Sequence, residues 1–227
     1  MKRAASKLPA CAVLLTVVSL CAHARVVAQE ASGVPAHVSA GRIINSTYFS
    51  EYFGFTLAIP KAWSAYDAQG RRLILDKGYD ELTARIPDKK AQDSLTDSVT
   101  NTVVLITVSK LPSDQTGPGN AVFACGAERL PAGPFEGRDY LAGMKRLMSK
   151  MTDPPKVESD IAAEMIDGAE FAVLTLTRND FGTPIGQRYW SIVRKGYAVF
   201  CISTYANDED KRLLNQTMNS FKFDRAN

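Results

Sequence analysis

The clearest periodicity in the chain lies over residues 138–151, where Tyr140, Leu141, Met144, Leu147, Met148 and Met151 share one face at helical spacing. Asp139 suits the first turn and Lys150 the last, and Asp153-Pro154-Pro155 then stops the helix. A Met-rich face serves either core packing or binding, and packing is the simpler reading. A second helix is predicted over 208–219. Asn207 caps it, Asp208, Glu209 and Asp210 load its first turn, and Leu213, Leu214, Thr217, Met218 and then Phe221 make its apolar stripe. Capping accounts for that acidic cluster without a bound cation.

Between the two helices, 156–163, 170–178, 185–194 and 197–205 read as four strands, broken at Asp167-Gly168, 179–184 and Lys195-Gly196. Gaps this short join antiparallel neighbours. Residues 102–110 and 53–59 are two further strands. In 197–205 both alternating faces are apolar, with Tyr197, Val199 and Cys201 on one and Ala198, Phe200 and Ile202 on the other. Such a strand needs cover on both sides of its sheet. The expected fold is therefore α+β, an antiparallel sheet with helices on both faces. Tyr189 and Trp190 are adjacent on a strand, so their rings point to opposite faces and form no common platform. Residues 121–128 read as a short helix started by Asn120.

The first 28 residues change how the composition is read. Lys2, Arg3 and Lys7 form a basic head, 8–22 an apolar run, and small residues offer cleavage after Ala24 or Ala28. The expectation is a signal peptide over 1–28, a leader without sustained period over 29–42, and one domain over 43–227, in a protein exported to the periplasm or beyond. The run at 8–22 is short of the about 20 apolar residues that span a bilayer, so no stable membrane insertion is expected after cleavage. The whole chain carries 27 Lys+Arg against 24 Asp+Glu. Losing Lys2, Arg3, Lys7 and Arg25 leaves 23 against 24. A body so close to neutral lacks the electrostatic footprint of a nucleic-acid binder.

Cys11 and Cys21 belong to the expected signal, which leaves Cys125 and Cys201. Two cysteines in an oxidising compartment suggest one disulfide, the alternative being two separate buried thiols. The two histidines, His23 and His37, both precede the expected domain. Nucleophile systems built on histidine and the usual His-containing zinc sites are thereby excluded from it. No phosphate-binding glycine loop, dinucleotide fingerprint, H-E-x-x-H, G-x-S-x-G or S-x-x-K occurs. No catalytic residue, metal or cofactor is assigned.

The stretch Phe53-Gly54-Phe55-Thr56-Leu57-Ala58-Ile59-Pro60-Lys61-Ala62-Trp63 resembles the opening of PsbP-like domains, where a strand ends in proline and an aromatic residue soon follows. The C-terminal order is similar too, with a Gly196-Tyr197 turn, an apolar strand, a polar helix and a closing Ser220-Phe221-Lys222-Phe223. The resemblance covers the element order over most of 43–223 and implies an antiparallel sheet between helices. It also implies an accessory or binding role, as in the extrinsic photosystem II subunit, whose own role nothing in these residues transfers. Residues 112–137 depart from the pattern. Independently, Pro60 cannot donate to a ladder and belongs at a strand end, and Trp63 supplies apolar area to seal the core edge.

The leading expectation is a non-catalytic exported module with an unknown protein or small-molecule partner. Two alternatives stay open. One is an enzyme using carboxylates or Tyr/Lys, which a deep pocket with two convergent carboxylates would favour. The other is an envelope assembly partner docking through the Pro/Gly loops at 111–120 and 130–137.

Overall fold

The computed structural model describes residues 38–112, 120–180 and 182–224. The expected signal segment, residues 29–37 of the expected leader and 113–119 of the first Pro/Gly loop lie outside them. In chain order the elements are β1 (Arg42–Ile44), β2 (Thr47–Ser50), β3 (Phe55–Ala58), β4 (Ser64–Ala65), α1 (Ala68–Arg85) and α2 (Lys89–Thr100). There follow β5 (Thr102–Ser109), β6 (Val122–Arg129), α3 (Gly137–Met148), β7 (Lys156–Val157), β8 (Ala162–Ile166) and β9 (Ala169–Asp180). Then come β10 (Thr183–Arg194), β11 (Tyr197–Tyr205), α4 (Asp208–Asn219) and β12 (Lys222–Phe223).

One large sheet runs β4-β5-β6-β11-β10-β9-β7, with β8 also paired to β9, and every pairing is antiparallel. Tight turns set the meander. Asp167-Gly168 joins β8 to β9 and Lys195-Gly196 joins β10 to β11, each with both residues at positive φ. That backbone twist matches the strands it links. Every residue of β11 is buried. On one face Val173, Trp190, Val199, Cys201, Cys125 and Phe123 form a core with Leu214, Met218 and Phe221 of and after α4. On the other, Leu174, Tyr189, Phe200, Ile202 and Ala124 meet Leu75, Tyr79 and Leu82 of α1, Leu95 and Val99 of α2, and Leu141 and Met144 of α3.

The α+β class and helix cover on both faces are therefore present. The α4 face is shared with a second sheet, β1-β2-β3-β12, whose Tyr48, Phe55 and Leu57 enter the same core. Neither Tyr189 nor Trp190 is exposed, and Trp63 packs partly buried against the α4-side core. The folded region begins before the expected boundary at residue 43. Val38 is already buried in the core, and the Tyr48 hydroxyl donates to the Ala40 carbonyl at 2.9 Å.

Three local expectations need correction. Residues 121–128 are no helix; 122–128 lie in β6, whose small residues are dictated by what packs on them. A Cβ at Gly126 would stand 2.6 Å from the Phe200 ring. The expected single strand over 156–163 is two, β7 and β8, because the chain leaves the β9 edge at 158–161 and returns. Residues 68–85 and 89–100, given no element by pattern, are α1 and α2. Asp67 and Asp88 cap them, each accepting a backbone N–H at 2.7 Å.

Cys125 and Cys201 face each other directly across β6 and β11 and are joined by a disulfide, with Cα atoms 4.0 Å apart. That separation is shorter than the roughly 4.4–6.8 Å usual for such bonds. The bond links two central strands, where the helical reading of 121–128 would have tied a covering element to the sheet.

Candidate functional site

The Met-rich stripe of α3 does two things. Leu141 and Met144 bury into the core, each contributing about 1.5–3 kcal/mol of transfer free energy. Farther along, Met148 and Met151 reach a cleft at the end of the helix. α3 can lie this close to the sheet because its first residue is glycine; a Cβ at Gly137 would stand 2.2 Å from the Ser191 carbonyl oxygen. Beyond α3 the chain turns back through Asp153-Pro154-Pro155, and the Thr152 N–H donates to the Arg85 carbonyl at 2.8 Å, pinning this strap to the end of α1.

Between α1, the strap and the β9–β10 pair the chain leaves a cleft of about 350 Å³. Leu82, Met148, Met151, Pro154, Pro155 and Tyr189 give it an apolar lining. Arg85, Lys156 and Arg178 bring three cations from three different elements, and Asp153 is the one carboxylate among the lining residues. The volume lies in the about 300–1,000 Å³ range of small-molecule sites.

The floor of the cleft is polar but internally paired. The Tyr189 hydroxyl donates to Gln187 Oε1 at 3.1 Å, and Gln187 Nε2 donates to Thr204 Oγ1 at 3.3 Å. Burial pushes the Tyr189 phenol well above its ordinary range, with the nearby Arg178 charge acting the other way. It is therefore a fixed neutral hydrogen-bonding group. It does not serve as a base near neutral pH.

Two other polar clusters stand outside the cleft. Glu164 of β8 accepts from Arg188 and, at 3.0 Å, from the Trp190 indole N–H, while Arg188 also donates to Asn215 of α4 at 3.0 Å. The network clamps the edge of the large sheet to α4. The second is Glu128 at the end of β6. One of its oxygens accepts from Ser98 of α2 at 2.7 Å and from Tyr140 of α3 at 3.0 Å, and the Tyr140 ring stacks on Phe200.

Burial raises the Glu128 carboxyl from its ordinary 4.5 to about 7, against the two hydroxyl donors. The folded state then binds a proton that the unfolded chain releases above 4.5. Its contribution is complete below that value and is lost as pH rises through 7. We expect wild-type protein to lose about 2–3 kcal/mol between pH 5 and 8 relative to Glu128→Gln, which lacks the titrating proton. Urea unfolding of both proteins at the two pH values measures it, and parallel pH profiles would refute it.

The acidic first turn of α4 is structural, as its sequence implies. Asn207 accepts the Asp210 N–H at 2.9 Å, and the buried Asp210 carboxylate takes Lys110 at 2.8 Å. Of the two Pro/Gly loops, 130–137 is described. Its Leu130 N–H donates to the Gly196 carbonyl, and Phe135 is 38% exposed. The ends of the other are fixed by the Leu111 N–H donating to Asn120 Oδ1. Among the described residues of the two loops, none lines the cleft. Cys125 and Cys201 are each 1% exposed, on the opposite face of the sheet from the cleft. The only sequence signal for the site was the pairing of a methionine stripe with a Pro-Pro stop. The residues that complete it come from α1, β9 and β10, which only the tertiary fold brings beside that stripe.

Among the described residues no group of three His, Cys, Asp or Glu converges as a metal site requires, and no helix is long and apolar enough to cross a membrane. No protein-family model matches the chain, and no curated protein matches it. Solved structures do show likeness. Cyanobacterial PsbP from Synechocystis shares 12% identity over 78% of this chain and 91% of its own, with a TM-score of 0.46. LpqN of Mycobacterium tuberculosis, described as involved in cell envelope biogenesis, shares 14% over 75% and 83%, with a TM-score of 0.38. A protein of unknown function from Pseudomonas aeruginosa shares 18% over 53% and 79%, with a TM-score of 0.37. Likenesses this distant carry no functional argument, which rests on the residues themselves.

Proposed function

We propose that the protein is an exported, non-catalytic binding module of PsbP-like type that holds a small molecule in the cleft between α1, the 151–156 strap and the β9–β10 pair. One observation carries this reading. The cleft is apolar over most of its lining and holds a single carboxylate, Asp153, beside a neutral, internally paired tyrosine. Two-carboxylate acid–base chemistry needs a second carboxylate, and Asp153 is the one carboxylate in the lining. Export is supported by the sequence of the first 28 residues and by a disulfide, which persists in oxidising compartments. The PsbP-like reading is supported by Phe55–Ala58 ending ahead of Pro60, by Trp63 against the core, and by the closing order β11, α4, β12.

The methyl groups of methionine give a direct test. In protein labelled at the methionine methyls, apolar fragments should shift the signals of Met148 and Met151 and leave Met165, 67% exposed on β8 and outside the lining, unmoved. Met148→Trp, which fills the cleft, should abolish the shifts while leaving the melting temperature near wild type. Fragments that move Met165 as much as Met148, or that bind the filled variant equally well, would overturn the reading.

A further inference from the structure

We propose that the ligand of this cleft is an apolar molecule ending in a carboxylate, an inference that rests on the cleft being the binding site. The charges of the whole chain nearly balance, at 27 Lys+Arg to 24 Asp+Glu, yet the cleft lining carries three cations to one carboxylate. The cations arrive independently, Arg85 as the last residue of α1, Lys156 from β7 and Arg178 from β9. A chance surface charge needs one element; convergence of three on one apolar cavity is a feature of the fold.

Each of the three cations has an interaction within the fold. Arg85 meets Glu81 at 2.7 Å one helical turn back, and Lys156 meets Glu158 at 3.3 Å. The Lys156 side chain is 76% exposed, so that pair is held weakly and the ammonium is free to re-aim. Arginine has five N–H donors in a planar fork, so a carboxylate on one edge of Arg85 leaves donors for a second. A ligand carboxylate at the rim would add a charge-assisted hydrogen bond, the stronger kind. Asp153 sets an upper limit on ligand charge, since a multiply charged head would meet its repulsion. The tail faces Met148, Met151 and Leu82, where unbranched thioether side chains adapt to an irregular apolar shape.

Calorimetric titration of the purified protein with decanoate, 1-decanol and decylammonium separates the parts of this proposal. Decanoate should bind about tenfold or more tighter than decanol, and decylammonium weakest of the three. Arg178→Gln and Lys156→Gln should each pull the decanoate-to-decanol affinity ratio toward one. Lys156 is exposed enough to be replaced without loss of folding, so the test survives if Arg178→Gln does not fold. Equal binding of decanoate and decanol, with both lost in Met148→Trp, would overturn the carboxylate and leave the cleft standing. Binding of all three unaffected by Met148→Trp would remove the cleft itself.

Discussion

Protein carrying Met144→Asp is expected to be unfolded, or nearly so, at 25 °C. Met144 is 3% exposed and lies in the core formed by α1, α2, α3 and the large sheet. The substitution removes the apolar contact and places a carboxylate among the apolar side chains of that core. An unpaired buried charge of this kind belongs with the few mechanisms that cost more than about 4 kcal/mol. A domain of ordinary stability holds only about 5–15 kcal/mol in reserve. Far-ultraviolet circular dichroism and thermal melting measure the effect. A melting temperature unchanged from wild type would show that the α3 stripe is not core.

The second large effect is expected from replacing Cys125 and Cys201 together by alanine. The bond joins residues separated by 76 positions, and chain entropy assigns a loop of this size about 4 kcal/mol. Both cysteines also pack in the core on the α4 side, so the loss should appear in stability and not in the shape of the cleft on the opposite face. Urea unfolding of the variant against wild type measures it. Thiol labelling of denatured, unreduced wild type should find nothing; two reactive thiols per chain would show that the bridge is not made.

Much of the fold was legible from the residues because its strongest elements are locally consistent. α4 has its cap, its acidic first turn and its apolar stripe in one short window, and it occupies 208–219 as read. β11 is apolar on both faces and occupies 197–205. α1 failed for a physical reason. Leu73, Ile74 and Leu75 are consecutive and not periodic, Leu73 is 54% exposed, and Gly70 and Gly78 weaken the helical signal. α2 buries only Leu95 and Val99 in a run of Ser, Thr and Asp. β6 misleads in the opposite sense. Ala124, Cys125, Gly126 and Ala127 have low β propensity, and the reason for them is the Phe200 ring and the facing cysteine on β11, which no local window contains. The cleft was hidden for the same reason. Its methionines were visible, but nothing nearby in sequence announces Arg85, Gln187 or Tyr189 as their neighbours.

The order of strands across the large sheet also governs the route by which the chain reaches it. β8, β9, β10 and β11 follow one another through short turns and pay little loop entropy to pair. β6 must return to β11 across the intervening α3 and the whole meander. Contacts of such separation are the slow ones in folding. The meander is therefore expected to assemble first, with the largely apolar β11 as its unpaired edge until β6 arrives. An edge of that kind is where chains stick to one another. Oxidation of the cysteine pair marks the moment when that edge is closed, and it then slows the reopening of the sheet more than it speeds its closing.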